Sequence, residues 1–480
     1  MFNNTYLAKR GYVIKKDTLS QEEIDEVKRE LTVKPYISND FGGEAVSFPV
    51  YLENSKKLYM PKYYGIEKFG PAKEDKVPPG DNIDVKFKFS IREKQEIPVK
   101  KCLEAYKQVG GGILSLGCGQ GKTIIGLYLI SQLKKKTLVI VHKEFLLNQW
   151  IERIEQALPD AKVGRIQQNT YDVDDKDIVI GMLQTISMKD FSLIDFDCFG
   201  HVIIDEAHRI PSQVFSRALQ KINCPYMLGL SATPNRKDGL TKILKWYVGD
   251  IVYSNITNNT NSVLVKRYIV KSENPVYNNE LVDFRGRVKM STMINNITEY
   301  FYRTKIIINI IQEILKEDGR KILLLSDRKN HLNDIYKYVT KNNICTVGYY
   351  VGGMKQEKLK ESEYKDLILG TFAMANEGLD IEALNTLILA SPKSDIVQSC
   401  GRILRKSHGT VEPIIVDMVD KFSVFGNQSN KRLKFYRSKK YDVMDYEVQD
   451  ITGEILSEKK NEAQTKKKKT IKVDTDECLF

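Results

Sequence analysis

With 480 residues, 42% of them apolar and 28% charged, the chain is long enough for two or three domains and has an ordinary globular composition, which excludes a disordered or fibrous polymer. Lys and Arg outnumber Asp and Glu by 74 to 62, a net charge of +12; that balance favours a polyanionic partner, nucleic acid first, unless the charge serves solubility alone. Cysteines at 102, 118, 198, 224, 345, 400 and 478 form no Cys-x-x-Cys pair, and no segment approaches the ~20 apolar residues of a membrane span, so the expectation is a reduced, intracellular chain with no membrane partner.

Residues 1–85 read as a small accessory domain, with a polar helix predicted over 20–31 and short runs over 46–52 and 57–64. The Tyr- and Lys-rich segment 58–64 suits either a packed core strand or a nucleic-acid contact. The turn at 78–81 separates this part from the remainder of the chain.

A helix begins near Ser90 and carries Gln95. It leads to Gly110-Gly-Gly-Ile-Leu-Ser-Leu-Gly-Cys-Gly-Gln-Gly-Lys-Thr123, a buried strand running through a glycine turn into a helix predicted over 123–134. Glycines at Gly117, Gly119 and Gly121 leave backbone N–H groups uncovered, and the helix turns its positive end to the same spot. Cys118 and Gln120 complete the loop. Such a cradle fits a nucleoside triphosphate with Mg²⁺: Lys122 reaches the β- and γ-phosphates, and the Thr123 hydroxyl is a hard oxygen ligand for the metal. Leu116 stands where the widest form of the pattern has glycine.

Alternating elements occupy 137–141, 144–155, 178–181, 201–205, 211–220 and 226–231, the signature of a doubly wound parallel sheet. The strand at 201–204 ends in Asp205-Glu-Ala-His208. Asp205 can hold Mg²⁺ through water, and Glu206 can orient or deprotonate the attacking water. His208 and the hydroxyls of Ser231 and Thr233, at the next strand end, are candidate links between these motifs. Residues 251–299 read as a connector with an inserted element, whose segment 283–289 is either a solvated basic turn or a contact to a strand backbone.

A second alternating unit, 300–425, has elements predicted at 300–317, 321–326, 331–341, 346–350, 367–371 and 386–389, and no phosphate loop. Its chemistry lies in Gln398-Ser-Cys-Gly-Arg-Ile-Leu-Arg405, where Arg402 and Arg405 share one helix face and can clamp a γ-phosphate. Before it runs Thr371-Phe-Ala-Met-Ala-Asn-Glu-Gly-Leu-Asp380. Thr371 and Gly378 permit close approach of a nucleic-acid phosphate, and Asp380 can engage the arginine helix or the ribose. Ser326 ends the strand at 321–326. Residues 426–480 read as a basic C-terminal extension, and its segment 431–440 suits either phosphate contact with base stacking or a solvated helix face.

From about Arg92 to Arg405 the motif order resembles the superfamily 2 helicases of the DEAH type. Within them the segments 118–123, 147–150 (Leu-Asn-Gln-Trp), 229–239 and 350–355 look like the XPB-type branch, above all the transcript-release helicases of poxviruses and related large DNA viruses. Gly117 stands where that branch often has Pro, and Glu382-Ala383 where a Pro is frequent. The resemblance implies two RecA-like doubly wound parallel-sheet domains in tandem (86–250 and 300–425), with the N-terminal accessory domain and the basic tail outside them. It implies ATP and Mg²⁺ as cofactors, with Gln95 and Asp380 on the nucleotide and Gln398, Arg402 and Arg405 acting with Lys122, Asp205 and Glu206. It implies a DNA helicase or translocase in viral transcription, with RNA polymerase or another transcription factor as partner, in the host cytoplasm or the virion. An RNA-directed helicase and an ATP-gated clamp without turnover are the alternatives.

Overall fold

The structure is a computed structural model and describes residues 5–34, 46–117, 119–191, 196–207, 213–232, 241–255, 263–377, 379, 381, 383–402 and 411–461. The chain divides into two compact units, Met1–Thr257 and Asn258–Phe480.

In the first unit the described strands form an eight-stranded sheet in the order Thr170–Asp172, Val163–Gln167, Ile178–Met182, Thr137–Val141, His201–Ile204, Tyr226–Ser231, Gly111–Leu116, Ile251–Asn255. All neighbours are parallel except the first pair. The central strands are unbroken apolar runs, as expected where both faces are covered. Alternation sorts them: Leu138, Ile140, Val202 and Ile204 join one core layer, while Val139, Val141 and Ile203 join the other.

The first of those layers also contains Tyr12, Ile14, Leu58, Met60 and Tyr64. The described residues of 5–34 and 46–69 therefore share a hydrophobic core with the sheet rather than owning a separate one. The five-stranded sheet here, ordered Leu52–Glu53, Lys57–Met60, Gly11–Lys15, Thr5–Ala8, Glu74–Asp75, is tied down by polar contacts as well. Tyr247 Oη donates to the Val50 carbonyl at 3.2 Å and Tyr63 Oη to the Val109 carbonyl at 2.9 Å. Of the two readings of segment 58–64, the core one describes Leu58, Met60 and Tyr64, all buried.

The second unit holds another eight-stranded sheet among the described residues, ordered Val347–Tyr350, Leu367–Gly370, Ile322–Leu325, Thr386–Leu389, Ile414–Val419, Leu264–Lys271, Asp442–Gln449, Ile455–Lys460. Only the last pair is antiparallel. Here the structure differs from the sequence reading. The supposed connector supplies a strand to each sheet, Ile251–Asn255 and Leu264–Lys271, and the supposed basic tail supplies two strands and most of the helix Ser423–Ser438.

These strands bury Val265, Ile269, Val443 and Val448, and an ionic layer is buried with them. Arg267 lies in register between Asp417 and Asp445 on the flanking strands, and it bonds to Asp445 at 2.8 Å. Arg432 of the last long helix reaches Asp417 through Nε at 2.9 Å, and Tyr436 Oη donates to the same carboxylate at 3.1 Å. Arg432, Tyr436 and Asp417 are buried. Within a charge run that looks solvated in sequence, Arg432 and Tyr436 are thus core residues, because a buried carboxylate must be paired.

Candidate active site

The strand Gly111–Leu116 is wholly buried and delivers Gly117–Gly121 to the start of the helix Lys122–Leu133. Gly119 (φ +76°) and Gly121 (φ +79°) adopt left-handed backbone that other residues resist. The left-handed φ at Gly121 is what calls for glycine there, and the Gln95 amide lies close by, with Nε2 only 2.2 Å from where a Cβ would stand. Gln95 is buried. Its Oε1 accepts from the Arg92 N–H at 3.1 Å, which leaves the amide N–H₂ beside the loop.

The loop is held in shape by its own side chains. Gln120 Oε1 accepts from the Gly117 N–H at 2.9 Å, and Lys122 Nζ donates to the carbonyls of Leu116 at 3.0 Å and Gly117 at 3.3 Å. These bonds close the loop on itself at the start of the helix. A glycine-lined turn with one lysine at its mouth fits a phosphate chain.

Asp205 follows the strand His201–Ile204, two strands away from the loop-bearing strand. Its carboxylate accepts from the Trp150 Nε1–H at 2.9 Å and from the Glu206 N–H at 2.9 Å. Burial raises its pKa, the Glu206 charge raises it further, and the Trp150 hydrogen bond and the Lys122 charge pull the other way. Lys122 and Asp205 lie in the same unit, and the lysine charge acts on the Asp205 carboxyl. An oxygen-only donor pair such as Asp205 and Thr123 suits Mg²⁺, which keeps waters and substrate oxygens for its remaining positions. Glu206 has φ +49°, a conformation costing about 1 kcal/mol or more in a non-glycine residue and characteristic of functional positions. Ser231 is paired in register with Ser115 of the loop-bearing strand, which sets the end of the next motif beside the cradle.

Trp150 is a site residue that the sequence reading misses, although it ends the segment Leu147-Asn-Gln-Trp150. The signal that could have found it is Gly126. A Cβ there would sit 3.3 Å from Trp150 Cη2, so a glycine inside the helix lets the indole lie close and reach Asp205.

In the second unit, Arg402 is buried and donates through a terminal nitrogen to the Leu379 carbonyl at 2.6 Å. Ser326 is buried, and its hydroxyl accepts from the Arg328 N–H at 3.2 Å and lies 3.1 Å from His331 Nδ1. The Thr371 hydroxyl accepts from the Met374 N–H at 3.4 Å, a cap on the helix Phe372–Glu377. Both hydroxyls thus have local structural work. Cys118, His208, Thr233, Gly378, Asp380, Arg405 and the Gln398 side chain lie outside the described residues.

Comparison with known proteins gives the family. Residues 88–236 match the family described as type III restriction enzyme, res subunit, and residues 304–407 match the helicase conserved C-terminal domain. A protein of Acanthamoeba polyphaga mimivirus, provisionally named an ATP-dependent RNA helicase, is 35% identical over 472 residues, covering 94% of this chain and 89% of its own. A provisionally named helicase of Escherichia phage T5 is 29% identical over 74% of this chain and 77% of its own. A protein of African swine fever virus, also provisionally named an ATP-dependent RNA helicase, is 24% identical over 90% of this chain and 87% of its own. No helix among the described residues is long and apolar enough to cross a membrane. With the loop, the acidic pair and a second sheet domain in one chain, and a relative matched over nearly its whole length, the protein belongs to the superfamily 2 helicases, which are ATP hydrolases, and is related to the helicases of large DNA viruses.

Proposed function

We infer that the chain couples ATP hydrolysis to movement along nucleic acid, with DNA during viral transcription as the favoured setting. What supports the reading is the glycine loop with Lys122 opening its helix, and Asp205 and Glu206 just past a strand two away from the loop-bearing strand in the same sheet. Lys122 would neutralise the β- and γ-phosphates. Thr123 and Asp205 would hold Mg²⁺, which lowers the charge that builds on the phosphoryl oxygens. Glu206 would orient the attacking water and take its proton, and Gln95 would present its amide to the base. Arg402 and Arg405 of the second sheet domain would stabilise the transferred phosphoryl group, as two planar donors can. The net charge of +12 supports a polyanionic track.

A second reading, an RNA-directed helicase, draws on the provisional names of the mimivirus and African swine fever virus relatives. ATP turnover measured with duplex DNA, single-stranded DNA and RNA separates the two. Greatest stimulation by duplex DNA supports the first, and stimulation by RNA alone supports the second. Turnover that no nucleic acid changes removes both.

A further inference from the structure

Between the short helix Pro275–Asn278 and the helix Met290–Glu299 the chain reverses tightly. Val282 and Val288 face each other in an antiparallel bridge. The Lys289 N–H donates to the Leu281 carbonyl at 2.7 Å, and the Asp283 N–H to the Arg287 carbonyl at 2.8 Å. Inside the turn the Asp283 carboxylate accepts from the Arg285 N–H at 2.8 Å, the Arg287 N–H at 3.0 Å and Arg287 Nε at 2.9 Å. Gly286 closes the reversal at φ +72°. The base is anchored, since Leu281 and Val288 pack against the core layer that contains Met293 and Ile297.

This braced turn holds out Phe284, at 89% the most exposed large apolar side chain among the described residues. A lone exposed apolar side chain is ordinary on a protein surface. A ring fixed outward by a hydrogen-bonded turn is different, because the backbone gives it no freedom to fold back. The Arg285 guanidinium lies 5.0 Å from the ring centroid. Arg287 is neutralised by Asp283 at 2.8 Å, whereas Arg285 and Lys289 have no carboxylate partner among the described residues.

We propose that the turn 282–288 is a stacking wedge: Phe284 stacks on an unpaired base where paired and unpaired strands meet, and Arg285 and Lys289 take the adjoining phosphates. Every nucleobase has a π-face, so one aromatic ring serves any sequence, and the two cations supply the sequence-independent attraction to the backbone. An apolar protein partner would have to desolvate the same two cations, which makes a polyanion the better match. The inference rests on the reading of the chain as a nucleic-acid translocase.

The test uses the full chain and its Phe284→Ala and Phe284→Trp variants on forked DNA, forked RNA and a forked RNA–DNA hybrid. Strand separation and ATP turnover are followed on the same substrate, together with the fluorescence of 2-aminopurine at the first unpaired position. Phe284→Ala should lower strand separation about tenfold or more and abolish the fluorescence quench, with ATP turnover within about twofold of the parent; the tenfold scale is that of one lost base–aromatic stack. Phe284→Trp should restore both. The fork that shows the effect identifies the strand as DNA or RNA. Strand separation by Phe284→Ala at the parental rate overturns the wedge while leaving the translocase reading intact. A parent stimulated by nucleic acid that separates no strands also overturns it. A parent whose turnover ignores all three forks overturns the translocase reading, and the wedge falls with it.

Discussion

Trp150 Nε1 donates to Asp205 Oδ2 at 2.9 Å, so a buried indole steadies a carboxylate whose ionisation burial opposes. Trp150→Phe keeps most of the ring and removes the donor. The Asp205 carboxyl should then titrate at higher pH, moving the acid limb of the ATPase profile upward. Turnover at neutral pH should fall about tenfold, the worth of one hydrogen bond to a charged group. An acid limb that stays in place would show that Trp150 only fills space.

Lys122→Ala should lower ATP turnover by about 10²–10³, the scale of a lost electrostatic stabiliser. Melting should change little, because among the described residues the lysine's hydrogen bonds go to the carbonyls of Leu116 and Gly117 at the loop. Glu206→Gln should keep ATP bound longer than the parent does, since the amide preserves shape but cannot take a proton. A filter-binding measurement of ATP residence, with turnover assayed in parallel, checks both variants.

Each unit buries a neutral histidine. His201 lies against Tyr106 Oη at 2.8 Å and Thr137 Oγ1 at 3.2 Å, and His331 lies against Ser326. Burial pushes both pKa values down to about 3. The unfolded chain therefore takes up protons near pH ~6.5 that the folded chain refuses until about pH 3. Stability from these two groups is complete above pH ~6.5 and lost as pH falls towards 3, by on the order of 5 kcal/mol per histidine. Denaturant titrations at about pH 7.5 and about pH 5.5 should show a lower midpoint at the more acidic value. The drop should shrink in His201→Gln, whose side chain does not titrate.

The basic segment 431–440 divides into two groups. Arg432→Ala removes the guanidinium that bonds the buried Asp417 carboxylate, leaving it Tyr436 Oη and the more distant Arg267, and should cost about 3 kcal/mol of stability. Lys431, Lys434 and Lys440 are exposed, and their joint replacement by Ala should leave melting unchanged. If they meet duplex phosphates, the slope of log affinity against log salt should flatten by ~0.9 for each lost contact. An unchanged slope would make them a solvated face.

Arg405→Ala should leave ATP binding nearly normal while turnover falls by ~10³ or more, the scale of a lost arginine finger. Arg405→Lys should rescue poorly, because an ammonium lacks the planar two-pronged donor. Parental turnover in both variants would make Arg405 structural. Arg402→Ala should differ by also lowering the melting temperature, since Arg402 is buried and bonded to the Leu379 carbonyl.

The phosphate loop, the acidic pair and the alternating strands were legible in the sequence because each depends on residues close together in the chain. A glycine turn and an acidic strand end write their geometry locally, and a run such as Thr137–Val141 announces burial on both faces by composition alone. Three things were decided only by packing across long separations. The described residues of 5–34 and 46–69 share a core layer with the first sheet because Tyr12, Leu58 and Tyr64 find apolar partners there. Residues 264–271 and 442–449 become sheet strands where Val265, Ile269, Val443 and Val448 are buried and Arg267 meets Asp417 and Asp445 in register, far along the chain. Trp150 enters the site because Gly126, on a different helix, leaves room for its ring. Periodicity records what a residue wants to bury, but the partner that makes burial of a charge or an indole affordable is fixed only when distant strands and helices come together.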